Sequence, residues 1–251
     1  MSYKVAAFYQ FAALPDYREL REPLRAICAG LGLKGSVLLA HEGINGTIAG
    51  HAGSIDTLFE ELQRGALFGG RLDNLELKFS QSEAMPFQRL KVRLKKEIVT
   101  LGDTAADPTR QVGIYVDPAD WNALISKPDT LVIDTRNAFE VAMGTFEGAV
   151  DPGIRSFGQF KEFVARKLDP AKHRRIAMFC TGGIRCEKAA LWMQDAGYEN
   201  VLQLEGGILG YFEQVGGAHY RGGCFVFDER IALAPDLKPI AGDAMTEGAA
   251  K

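Results

Sequence analysis

The chain is predicted to fold as two successive α/β units, and three observations carry that expectation. Apolar runs and amphipathic stretches follow the order βαββαβ over residues 1–96. A stretch of loop formers, GDTAADPTR, lies at 102–110, and strands separated by helices resume from about 119 to 216. The first pattern is that of a ferredoxin-like α+β sandwich. The second predicts a parallel α/β sheet with its ligand site beyond the carboxyl ends of the strands. Residues 97–118 read as a linker and 217–251 as a C-terminal extension.

In the first unit, Lys4–Leu14 reads as a strand. A helix runs from Asp16, placed to cap it, to about Leu31, with Leu20, Leu24, Ile27 and Leu31 on one face. Ser36–Ala40 and Ile44–Ala49 are strands joined by the turn His41-Glu42-Gly43. Ser54 is placed to cap a second helix carrying Ile55, Leu58, Phe59 and Leu62, and Leu75–Phe79 closes the unit. His41, Glu42 and Asn45 are read as turn chemistry.

Arg89–Lys96, RLKVRLKK, stands out. As a strand it points Arg89, Lys91, Arg93 and Lys95 to one side and Leu90, Val92 and Leu94 to the other. A row of cations fits either a solvated edge strand guarded against aggregation or a surface that contacts phosphates. Lys172, Arg174 and Arg175 form a second basic patch.

In the second unit, Val112–Val116 is expected to lie against the sheet, and Asp117-Pro118 opens a short helix through Trp121 and Leu124. Leu131–Asp134 is an apolar run ending in an acid. A helix follows near Phe157–Leu168, then the strand Ile176–Phe179, a helix after Arg185, the strand Val201–Leu204 and a short helix about Ile208–Val215. Cys224–Phe227 reads as an added strand and Ala232 onward as a loose tail. Asp134, Cys180 and Glu205 all fall at strand ends.

Composition limits the function classes. Apolar residues make up 47% of the chain and charged residues 24%, which suits a globular protein with a proper core. A net charge of −3 does not advertise a nucleic-acid binder, although a local basic patch suffices for one. Val5–Leu14 is interrupted by Tyr9 and Gln10 and reads as a strand rather than a leader, and no apolar run reaches membrane-spanning length. Cys28, Cys180, Cys186 and Cys224 are too scattered for a disulfide framework or a zinc site, so a cytoplasmic protein with reduced thiols is expected. The four histidines, His41, His51, His173 and His219, are dispersed; no metal site and no dinucleotide-binding glycine motif is read.

The stretch with most chemical content is Arg175–Tyr198. Ile176–Phe179 is a buried strand, Cys180 closes it, and Thr181-Gly182-Gly183-Ile184-Arg185 leads into a helix with Cys186, Ala189, Ala190, Met193 and Gly197 on one face. A glycine loop at a helix start turns N–H groups inward and adds the positive end of a dipole. A thiol facing that cradle ionises readily, and Arg185 supplies a fixed charge or a fork for an anion. Cysteine also commonly sits at strand ends as a small buried residue; the glycine loop and Arg185 favour a reactive Cys180. Cys186 is read as a packing residue or a resolving thiol, and Asp134 as a residue that holds the loop.

CTGGIRCEKAA at 180–190 resembles the active-site loop and following helix of a rhodanese domain. Asp134-Thr135-Arg136 resembles that fold's aspartate-bearing strand end, and Leu204-Glu205-Gly206-Gly207 its late glycine turn. HEGINGTIAG at 41–50, EIVTLG at 97–102, GIYVDPADWNALI at 113–125 and GGCFVFDERIAL at 222–233 are similar to one rhodanese-related family, the bacterial oxygen-dependent tRNA uridine hydroxylases. The resemblance implies an acylphosphatase-like domain joined to a rhodanese domain. It also implies hydroxylation of the wobble uridine (position 34) to 5-hydroxyuridine, with molecular oxygen as co-substrate. Cys180 is then the active cysteine, passing through a persulfide in rhodanese chemistry, with Arg185 beside it and Arg136 and Cys186 supporting. The partner it implies is the tRNA anticodon loop, and the row Arg89, Lys91, Arg93 and Lys95 is the first candidate to meet the RNA backbone, with Lys172, Arg174 and Arg175 the second; no obligate protein partner is inferred. Longer members carry further cysteines beyond the CFVFD segment, where this chain has only Cys224.

Three other readings remain at this point. The cysteine loop also fits a sulfurtransferase moving sulfane sulfur through a Cys180 persulfide. A cysteine phosphatase also ends its loop in arginine, but here four residues separate Cys180 from Arg185, one fewer than in that family. A non-catalytic binding module predicts a silent Cys180→Ser.

Overall fold

The computed structural model describes residues 2–103, 106–111 and 113–240. They form two units, Met1–Ile98 with Phe227–Arg230, and Val99–Val226 with Ile231–Lys251.

In the first unit the order is β1 (Tyr3–Phe11), α1 (Tyr17–Gly30), β2 (Lys34–Ala40), β3 (Gly43–Gly50), α2 (Ala52–Arg64), β4 (Glu76–Ser82) and β5 (Leu90–Leu94). The sheet order is β4-β1-β3-β2-β5. The first four strands pair antiparallel, as a ferredoxin-like sandwich requires. Both helices bury the faces the periodicity assigns them: Leu20 and Leu24 from α1, and Ile55, Leu58, Phe59 and Leu62 from α2, join Phe8, Val37, Ile44 and Ile48 in one core. Two expected caps are otherwise employed. The Asp16 carboxylate accepts hydrogen bonds from Arg71 instead of capping α1, and α2 begins at Ala52, so Ser54 lies inside its first turn.

β5 pairs in parallel with β2 at the sheet edge. Val92 is buried, Leu90 and Leu94 are half-buried against the core, and Arg89, Arg93 and Lys95 are exposed, with Lys91 half-buried. The turn residues Glu42 and Asn45 hold the end of this unit: Glu42 Oε1 accepts from the Ile98 N–H at 2.7 Å, and Asn45 Nδ2 donates to the Ile98 carbonyl at 2.9 Å.

The second unit comprises β6 (Ile114–Val116), α3 (Pro118–Ile125), β7 (Leu131–Asp134), α4 (Ala138–Val141), β8 (Gly144–Phe146), a 3₁₀ turn at Phe157–Gln159, α5 (Phe160–Lys167), β9 (Ile176–Phe179), α6 (Ile184–Asp195), β10 (Val201–Leu204), α7 (Gly207–Gln214), β11 (Tyr220–Gly222), β12 (Cys224–Phe225) and β13 (Ala232–Leu233). The main sheet runs β6-β10-β9-β7, every pair parallel. Alternation along β9 divides the core. Ile176, Met178 and Cys180 face a cluster with Phe160, Val164, Cys186, Ala189, Ala190 and Met193, while Ala177 and Phe179 face Trp121, Phe146, Ile208, Tyr211 and Phe212. Both faces are therefore covered, which is why β9 is apolar throughout.

This unit extends beyond 119–216 on both sides. Leu101 and Ala106, in the segment expected as a linker, are buried in its core, and Ile114–Val116 is an edge strand; Val112 lies outside the described residues. At the other end β11 pairs with β8, and Cys224–Phe225 pairs with Ala232–Leu233, so the added strand is shorter than expected and the expected tail begins as a strand. Residues 241–251 of that tail lie outside the described residues. The short α4 and β8 have no counterpart in the sequence reading, because neither is long enough to show a period.

Candidate active site

Because β7, β9 and β10 are parallel neighbours, Asp134, Cys180 and Glu205 lie at one end of the sheet, as the strand pattern requires. Cys180 ends β9 and is buried. Its Sγ accepts a hydrogen bond from the Gly183 N–H at 3.1 Å. Only one of the two loop glycines is conformationally demanding: Gly183 has φ +103°, whereas Gly182 takes an ordinary conformation. Gly183 caps α6, which starts at Ile184, so Arg185 belongs to the first helical turn rather than preceding the helix.

The loop is held from behind by a second glycine turn. Ile208 and Leu209 donate their N–H groups to the carbonyls of Cys180 and Thr181 at 2.9 and 3.0 Å. Gly207, at φ +61°, lies so close that a Cβ there would sit 2.6 Å from the Cys180 oxygen and 2.7 Å from the Gly183 nitrogen. With its carbonyls bound on that side, the loop turns the Gly183 and Arg185 N–H groups toward the sulfur.

Burial by itself pushes the Cys180 thiol up. It is outweighed by a hydrogen bond from Cys186, the charge of Arg185 and the N–H groups of Arg185 and Gly183, so the thiol falls to about 6. Cys186 moves the other way: burial, and its donation to the Cys180 sulfur, hold its proton on. Its Sγ also lies 3.5 Å from Thr135 Oγ1. The two buried thiols thus divide into one that ionises and one that stays protonated and donates.

Of the two roles expected for Arg185, a fixed charge or a fork for an anion, the structure keeps the first. Its fork is occupied by Glu140, with Nη1 and Nη2 each 2.7 Å from a carboxylate oxygen, so it is not open to bind an anion. The guanidinium acts on Cys180 by charge, and the backbone N–H of Arg185 by hydrogen bonding. Glu140 also accepts from the Asn137 N–H at 3.1 Å, and Arg185 and that N–H keep its carboxyl ionised and below its ordinary value despite burial. Glu140 was missed in the sequence reading, although Asn137-x-x-Glu140 has the spacing of a helix-start capping pair that would have flagged it.

Asp134 does not hold the cysteine loop. Its carboxylate accepts from the Arg136 N–H at 3.0 Å, from the Arg136 guanidinium at 2.6 Å and from Thr145 Oγ1 at 2.8 Å. Arg136 is fully buried and also donates to the Gly144 carbonyl at 2.5 Å. The pair braces β7 against β8. Thr135 makes the direct link to the cysteine strand, its N–H and hydroxyl both donating to the Phe179 carbonyl at 3.0 Å. Cys224 is buried; burial and the carboxylates of Asp134 and Glu140 push its thiol up to about 12, against Arg136 and the Thr181 hydroxyl. It is a packing residue beside the loop, not a second thiolate.

Among the described residues, no group of three His, Cys, Asp or Glu side chains could hold a metal ion, and no helix is long and apolar enough to cross a membrane.

Residues 3–98 match the UPF0176 acylphosphatase-like domain and residues 117–214 the rhodanese-like domain. A protein of Bradyrhizobium diazoefficiens named tRNA uridine(34) hydroxylase is 74% identical over 96% of this chain and 95% of its own length. The chain belongs to the tRNA uridine(34) hydroxylase family. Proteins of that name from Nitrobacter hamburgensis and Nitrobacter winogradskyi are 69% and 65% identical, over 93% and 94% of this chain and 92% and 93% of their own lengths. Membership agrees with the two units seen, an acylphosphatase-like α+β sandwich followed by a parallel-sheet rhodanese domain.

Proposed function

We propose that the chain hydroxylates the wobble uridine, position 34, of tRNA to 5-hydroxyuridine, with Cys180 as the active thiol and molecular oxygen as co-substrate. One observation carries the reading: the likeness to proteins named for this reaction runs through both units rather than the cysteine loop alone. The geometry of the site supports it with a sulfur that is ionised near neutral pH, the form in which it is nucleophilic or can carry an outer sulfur. One oxygen atom is inserted at the C5–H bond of the uracil, so that C5–H becomes C5–OH. The other leaves as water, its two protons and two electrons coming, we propose, from two thiols of an external reductant that are oxidised to a disulfide.

The substrate presents its base in the anticodon loop, where an unpaired nucleotide can be splayed out of the stack. Lys91 and Arg93 on β5, with Arg89 and Lys95 flanking it, are proposed to meet the phosphates; Arg89, Arg93 and Lys95 are exposed at the sheet edge and Lys91 is half-buried. The second basic patch is weaker, since Arg175 pairs with Asp129 at 2.6 Å and Lys172 with Asp169 at 3.7 Å. A tRNA substrate supports a cytoplasmic location, which we propose with it.

The test is nucleoside mass spectrometry of tRNA from a deletion strain carrying wild type or Cys180→Ser. Wild type alone is expected to restore 5-hydroxyuridine; equal restoration by both removes Cys180 from the chemistry. Since the loop also suits sulfane sulfur transfer, thiosulfate-dependent turnover with unaltered tRNA nucleosides in the deletion strain would replace the reading with a sulfurtransferase.

A further inference from the structure

The residues around Cys180 are buried: Glu140, Asp134, Arg136 and Cys186 have no accessible surface, and Arg185 has little. Phe139 contrasts with them. It precedes Glu140 in α4, yet 48% of it is exposed. Adjacent residues of a helix point about 100° apart, so the turn that sends Glu140 inward to Arg185 sends Phe139 outward. Its ring meets that of Phe225 at a centroid distance of 5.1 Å and an angle of 89°. Phe225 follows Cys224, which packs beside Thr181 of the cysteine loop.

Both rings ride on backbone tied to the site. Glu140 grips Arg185 through two bonds of 2.7 Å, the Ala138 N–H donates to the Ile154 carbonyl at 2.8 Å, and the Gly223 N–H donates to the Met143 carbonyl at 2.8 Å. With about half of its surface left in water, Phe139 gains less from folding than a buried phenylalanine would. A rigid aromatic face next to a reactive group is the usual means of holding a base lifted from a nucleic acid, and a pyrimidine ring offers the matching π-face.

We infer that Phe139, held edge-to-face by Phe225, is the stacking platform on which the target pyrimidine of the RNA rests as it approaches Cys180. The inference rests on the proposed tRNA reaction and adds the residue that receives the base. Phe139 touches the substrate; Phe225 is a positioning residue that fixes its ring.

The test uses the full chain. In tRNA hydroxylation, Phe139→Ala and Phe139→Leu are each expected to lower kcat/KM about tenfold, the size of one lost base stack, while Phe139→Tyr stays within about twofold. The ultraviolet absorbance titration of the Cys180 thiolate is expected to be the same in all three. In a second arm, an anticodon stem–loop carrying a fluorescent pyrimidine at the target position is quenched by wild type and by Phe139→Tyr but not by Phe139→Ala. Wild-type kcat/KM in Phe139→Ala, or in Phe139→Leu, overturns the inference. So does a loss of activity accompanied by a shifted thiolate titration, which would mean that Phe139 acts only through Glu140. If wild type makes no 5-hydroxyuridine, the proposed reaction fails, and the quenching arm still decides whether the ring receives a base.

Discussion

Replacing Cys186 with alanine isolates one contribution to the acidity of Cys180. The variant removes a donor to the sulfur and leaves the Gly183 N–H, the Arg185 N–H and the Arg185 charge in place. A hydrogen bond to a charged group contributes about 1.5–3 kcal/mol, and a weak S–H donor belongs at the low end. At about 1.4 kcal/mol per pKa unit, the loss raises the Cys180 thiol by about one unit. The wild-type thiol is half ionised at about pH 6, and the variant would be only about a tenth ionised there. Thiolate absorbance, taken as the difference from Cys180→Ser, reads this without requiring a reagent to reach a buried sulfur. An unshifted titration in Cys186→Ala refutes the division of labour between the two thiols. A wild-type titration in the ordinary cysteine range refutes the cradle itself.

Glu140→Gln leaves the buried Arg185 guanidinium without its anionic partner and is expected to cost about 3–5 kcal/mol in chemical denaturation at neutral pH. Because the fold holds the Glu140 carboxyl below its ordinary value, its stabilising effect is complete above the unfolded-state pKa and fades as pH falls through the lowered folded-state value. The gap between wild type and Glu140→Gln should therefore narrow in acid, and a pH-independent gap would contradict the ionised pair. Gly207→Ala forces a Cβ into the Cys180 carbonyl at a left-handed φ, whose backbone strain alone costs about 1–2 kcal/mol. We expect a lower melting temperature and a raised Cys180 titration, and an unchanged thiol would show that the glycine turn does not shape the loop. Neutralising Arg89, Lys91 and Arg93 together should weaken tRNA binding and flatten its salt dependence by about one to three units of slope; equal affinity at several salt concentrations removes the β5 row from the interface.

Most of the fold was legible because its elements are long enough to show a period. The amphipathic faces of α1 and α2 and the alternation of β5 each place apolar residues where the core has them. α6 was legible only in part. Its sequence reads as one apolar face, yet Glu187 and Lys188 are buried as well. At the site, Cys180 and the glycine loop could be read locally, since the chemistry needs neighbours in sequence. The Glu140 partner of Arg185 and the Thr145 partner of Asp134 could not. Glu140 and Thr145 reach them through tertiary contacts that no spacing records. The fork on Arg185 looked open for the same reason, as a charge shows in a sequence but its occupancy does not.

The amides of Ile208 and Leu209, bound to the backs of Cys180 and Thr181, make the docking of α7 and the acidity of one sulfur a single event. Mild denaturant that loosens this helix should restore an ordinary thiol while the rest of the sheet is still assembled. Loss of the thiolate signal then becomes an early gauge of local opening, and substitutions on the apolar face of α7, far along the chain from the cysteine, should register there before they register in the melting temperature.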